Sequence, residues 1–110
     1  MSLHRKEKLA ELYKRAAGAF LATRVKVEDS IFSVTMTELT DKLDRLKIYF
    51  AVWPDDKERD VLKSLEKTRG ELRKHLAEEI RTKFVPEIEF IVDDSEKKRL
   101  RFEELLNKEG

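Results

Sequence analysis

The chain has 110 residues, 43% of them charged and 40% hydrophobic, with a net charge of +1 and no cysteine. That length suits one domain with one core, spanning 1–110, and the missing cysteine excludes a disulfide framework, a thiolate zinc site and a Cys nucleophile, which fits an intracellular setting. The small net charge conceals an uneven distribution: residues 1–26 carry seven Lys/Arg against two acids and residues 61–86 seven against four, while acids outnumber bases in 27–60 and 87–110.

In chain order, Leu9, Leu12, Tyr13, Ala16, Ala17, Phe20 and Leu21 recur at steps of three and four. This predicts a helix over 1–25, with His4, Lys8 and Arg15 on its opposite side. Its apolar residues are too dispersed for a signal peptide or a membrane span. The period then changes to two. Phe32, Val34 and Met36 alternate with Ser33, Thr35 and Thr37, and Leu46, Ile48, Phe50 and Val52 repeat the alternation. A hairpin over 31–53 follows, its strands antiparallel and joined by a short polar turn.

Pro54 closes the second strand, and Asp55 with Glu58 predicts a capping box for the helical region that follows. That region runs over 56–83 through Val61, Leu62, Leu65, Leu72, Leu76 and Ile80. Val85-Pro86 then imposes extended backbone. A third strand over 87–93 has Ile88, Phe90 and Val92 on its buried face. Leu100, Leu105 and Leu106 mark a short tail helix over 95–108. The class is α+β, with helices on one face of a three-stranded sheet.

Catalytic chemistry is thin. His4 and His75 stand alone, without metal-ligand spacing, and read as surface or structural residues. Asp55-Asp56 and Asp93-Asp94 sit where strands give way to helices, the place of capping acids. Tyr49 and Trp53 fall on the outer sheet face and can stack on bases, but Trp53 beside Pro54 is expected to cover the edge of the core. No metal, no cofactor and no enzyme activity are expected.

The most informative stretch is "KSLEKTRGELRKHLAEEI". At about 100° per residue, Lys63, Lys67, Lys74 and Arg81 share one stripe with Gly70. A straight helix would place Arg69 inside the apolar arc, where its guanidinium loses hydration. A kink at Thr68, Arg69 and Gly70 would turn Arg69 outward and leave bare backbone on the basic side, open to phosphate. A merely solvated charged face, interrupted by Glu66, Glu71 and Glu78, is the other reading.

The stretches "FSVTMTELTDKLDRLKIYFAV", "LEKTRGELRKHLAEEIRTK", "VPEIEFIVDDS" and "RFEELL" resemble the ribosome-binding factor A family, most specifically from Arg81 to Ser95. The resemblance implies a type II KH-like fold, α-β-β-α-(kink)-α-β. In that fold an Ala-x-Gly kink replaces the nucleotide-clamping loop, and this chain has Thr68 in place of the alanine. The family's "DPR" segment is replaced here by "VKVEDSIF". The implied function is non-catalytic: a cytoplasmic, monomeric assembly factor that binds the small (30S) ribosomal subunit and its 16S rRNA and promotes rRNA processing and late maturation. No membrane and no small-molecule substrate are implied. Candidate RNA contacts are Arg5, Lys8, Arg15, Lys63, Lys67, Arg69, Gly70, Arg73, Lys74 and Arg81. The rival reading is a small adaptor that binds protein through Tyr49, Trp53 or the sheet edge.

Overall fold

The computed structural model describes residues 3–109. The elements are α1 (Leu3–Arg24), β1 (Ile31–Leu39), β2 (Arg45–Trp53), a 3-10 turn (Asp55–Lys57), α2 (Glu58–Glu79), β3 (Glu87–Val92) and α3 (Ser95–Glu109). Residues 1 and 2 of the helix expected over 1–25 lie outside the described part. The strands form one sheet in the order β1-β2-β3. β1 pairs with β2 antiparallel and β2 with β3 parallel, so α2 is the crossover that a parallel pair requires.

β2 is the central strand, and its alternation is the cleanest in the chain. Leu46, Ile48, Phe50 and Val52 are all buried, facing the helical layer. Tyr13, Ala17 and Leu21 of α1 and Val61, Leu65, Leu72 and Leu76 of α2 close over them, joined by Ile88 and Phe90 of β3.

β1 departs from strict alternation. Its register shifts between Val34 and Met36, so Val34 faces Phe50 while Met36 faces Tyr49 and Thr37 faces Ile48. The extra residue, Thr35, moves the rest of the strand over by one. Met36, expected on the core face with Phe32 and Val34, is therefore exposed. Thr37 takes the inner face, where its hydroxyl donates to the Ala10 carbonyl of α1 at 2.7 Å. One hydrogen bond thus compensates for a polar side chain turned toward the helices. Thr35 itself donates to Oδ2 of Asp93 at 2.6 Å, across β2.

Two helix expectations are corrected. α2 is one uninterrupted helix through Thr68, Arg69 and Gly70, not a pair divided at a joint, and it ends at Glu79 rather than 83. Ile80 is already extended, with φ −122° and ψ 115°. The capping box is also absent. Lys57 occupies the N-cap without a side-chain hydrogen bond, and Asp55 and Glu58 instead pair with Lys97 of α3. The cap expected of Asp93 does form: its Oδ1 accepts the backbone N–H of Ser95 at 3.0 Å.

Candidate nucleic-acid interface

α1 and α2 cover the same face of the sheet, so their solvent ridges look out on the side remote from it. On α2 the buried residues Val61, Leu65, Thr68, Leu72 and Leu76 fix which side that is. Lys63, Lys67, Gly70 and Lys74 lie opposite and are exposed. At 1.5 Å rise per residue the three lysines span about 16 Å of helix. A Cβ placed on Gly70 would meet nothing within 4 Å. Nothing inside the fold therefore requires glycine there, and its effect is to leave a backbone ridge uncovered between Lys67 and Lys74.

The helical hydrogen bonding continues through this place, and each feature that argued for a break is accommodated. Thr68 is buried, and its hydroxyl donates to the Ser64 carbonyl one turn back at 2.8 Å. Arg69 is half-buried at the edge of the core. Its guanidinium lies 5.7 Å from the centroid of the Phe90 ring and pairs with Glu66. Its Nε is buried without a hydrogen-bond partner. Arg69 is thus held against β3 through its stem and the ring, rather than swung into solvent.

The remaining candidates divide. Lys8 and Arg15 are exposed on the outer side of α1, Arg15 lying 3.8 Å from Glu11. Arg5 is exposed near the start of the same helix. Arg73 belongs to the fold. Its Nε donates to the Pro86 carbonyl at 3.3 Å and its Nη2 to the Val85 carbonyl at 3.1 Å, fastening the segment that leads into β3. Arg81 lies beyond the end of α2, so it leaves the helical stripe and sits in the connection to β3. That connection is tied to α1 as well: the hydroxyls of Tyr13 and Thr82 are 3.3 Å apart, and Thr82 donates to the Phe84 carbonyl.

The grouping of three residues at the α1–α2 seam escapes sequence reasoning. Phe20 and His75 stack with ring centroids 4.6 Å apart and 23° between planes, and the Arg24 guanidinium lies 5.0 Å from the centroid of the same Phe20 ring. Together with Lys74, Glu71 and Glu78 they line a shallow cleft of about 340 Å³. Phe20 is legible as apolar and His75 as structural. Their pairing joins two helices far apart in sequence, and no local period shows that. Trp53, expected to cover the core edge, is instead exposed. Among the described residues, no group of three or more His, Asp or Glu is placed to hold a metal ion, and no helix is long and apolar enough to cross a membrane.

Lysines on a helical ridge beside uncovered backbone are suited to phosphate, which they bind as point charges without reading sequence. A three-stranded sheet carrying two helices on one face in this order defines the KH-like class. The crystal structure of ribosome-binding factor A from Thermus thermophilus matches with a TM-score of 0.68 at 23% identity, over 79% of this chain and 93% of that one. A homology model of the same organism's factor, fitted into the cryo-EM map of a 30S complex, matches with a TM-score of 0.60 at 19% identity, covering 86% of this chain and 97% of that one.

The sequence narrows the class to a family. The ribosome-binding factor A family model matches residues 5–106. A ribosome-binding factor A of Halothermothrix orenii is 34% identical over 110 residues, 98% of this chain and 90% of the relative. The chain belongs to the ribosome-binding factor A family.

Proposed function

We propose that this chain is a non-catalytic assembly factor of the cytoplasm that docks as a monomer on the small ribosomal subunit through its helical layer, contacts the rRNA there, and promotes rRNA processing and late maturation. The observation that carries the reading is the exposed Lys63–Lys67–Lys74 stripe with uncovered Gly70 between its last two members. It is supported by family membership and by the Thermus thermophilus factor having been fitted into a 30S complex. Lys8 and Arg15, on the same outer side, extend the surface. Arg69 and Arg73 shape it from behind, one held on Phe90 and the other on the Val85 and Pro86 carbonyls. Binding of this kind draws its free energy largely from counterions released by the RNA.

The test is affinity for isolated small subunits across a salt series. Replacing Lys67 and Lys74 by glutamate is expected to weaken binding at every salt concentration. Neutral glutamine at the same positions reduces the slope of log affinity against log salt by about one for every phosphate that is no longer neutralised. An unchanged affinity and slope in both variants overturns the assignment of this ridge.

A further inference from the structure

Ile31 and Trp53 face each other across the β1–β2 ladder at the end of the hairpin, and Leu100 of α3 comes in beside them. The three are 67%, 69% and 48% exposed, so three large apolar side chains stand in water around one concavity. This groove has a volume of about 410 Å³, with Ala51 and Val52 also in its wall. Apolar side chains gathered in this way mark interaction surfaces more often than isolated ones do. Asp55, Glu58, Asp93 and Glu96 also line it, against one base in the lining, Lys97, and with Arg99 pairing with Glu96 from beside it. Lys97 is already engaged by Asp55 at 3.3 Å and by Glu58. Thr35 and Ser95 donate hydrogen bonds to the Asp93 carboxylate and hold it below the usual carboxylate range, so it remains charged.

We propose that this groove receives a lysine- or arginine-rich segment of a protein partner, an apolar side chain entering between Ile31, Trp53 and Leu100 while its flanking cations meet the carboxylates. Charge decides the class of occupant. The lining is acidic on balance and repels a phosphate backbone, whereas a cationic peptide is attracted by the carboxylates and also by the face of Trp53. The proposal does not depend on the RNA assignment: the lysine stripe lies on the side of the helical layer remote from the sheet, and the groove lies between the hairpin end and α3. The molecule then offers a basic surface to RNA and an acid-rimmed aromatic groove to protein.

Trp53 is the only tryptophan of the chain, so its emission reports the groove directly. The probe is a short peptide of alternating lysine and leucine, compared with the same peptide carrying glutamate for lysine, and with oligouridylate. The lysine peptide is expected to give a saturable blue shift that weakens about tenfold when the two carboxylates of an Asp55→Asn, Glu96→Gln variant are neutralised. Leu100→Ser, on an exposed helix face, is expected to abolish it, with the circular dichroism spectrum and the affinity for small subunits unchanged. An equal response to the glutamate peptide overturns the proposal. So does a response to oligouridylate alone, which would make Trp53 a base-stacking residue. An emission shift that follows protein concentration without any peptide also overturns it, since the occupant is then a second copy of the chain.

Discussion

The guanidinium of Arg69 lies 5.7 Å from the centroid of the Phe90 ring, joining the middle of α2 to β3 with an aliphatic stem over the core edge and a charge over an aromatic face. Much of what Arg69 contributes is therefore contact area, because its Glu66 partner is exposed and worth little. Arg69→Met retains the stem and removes the buried Nε that lacks a partner. It is expected to change stability by less than about 1 kcal/mol, whereas Arg69→Ala lowers it by about 1–2 kcal/mol. Urea midpoints of the two variants measure the difference. The salt slope of small-subunit binding is expected to stay near that of the parent in Arg69→Met, in contrast to the Lys67 and Lys74 variants.

Arg73 is a stronger case. Two carbonyls just before β3 depend on one guanidinium, and its planar fork reaches Pro86 and Val85 together. Arg73→Ala leaves both half-covered carbonyls without that donor and is expected to cost about 1–3 kcal/mol. Arg73→Lys is expected to recover less than half, because an ammonium cannot reproduce the paired geometry. Chemical denaturation gives the ranking. Recovery to the parent value by lysine would show that charge alone is at work.

Asp93 makes stability depend on pH. The Thr35 hydroxyl, and then Ser95, hold its carboxyl below the usual value of 3.8. The folded state therefore releases this proton more readily than the unfolded chain does. The contribution is present above about pH 4, the range of an unfolded aspartate, and is lost as pH falls through the lower folded value. Asp93→Asn is expected to be less stable than the parent at neutral pH, with the gap closing from about pH 4 downward. Urea titrations from neutral to about pH 3 follow it. A gap constant over that range would mean that the carboxylate's charge is not what links β1 to the start of α3.

These residues also show what the sequence can reveal. The four inward side chains of β2 and the apolar stripe of α2 are legible because strand and helix periods act locally. Alternation alone misplaces Met36, because a bulge is one residue of slippage with no sign in the residues before it. The break expected at Gly70 rests on Arg69 having no partner. Besides the exposed Glu66 one turn back, Arg69 has Phe90, 21 positions further along and reached only after the crossover. The same reasoning separates the candidate contacts. Lys63, Lys67 and Lys74 follow from helix geometry alone. Arg73 looks identical in sequence, and only the returning chain at Val85-Pro86 shows that it is already occupied.

Gly70 offers the sharpest separation of stability from function. An added methyl meets nothing within 4 Å, and the glycine's φ is not positive, so alanine fits the existing helix without strain. Gly70→Ala is expected to stabilise the chain by about 0.5–1 kcal/mol, through helix propensity and a less flexible unfolded state, and to raise Tm by about 4 °C. If uncovered backbone at this point lies against phosphate, the same methyl holds the RNA off, and affinity for small subunits falls while stability rises. Gly70→Ser restores a hydrogen-bonding group at similar bulk and is expected to recover part of the affinity. Thermal melts and small-subunit binding on one set of samples decide the matter. A Gly70→Ala variant that is more stable and binds as tightly as the parent would mean that the backbone at Gly70 does not lie against phosphate.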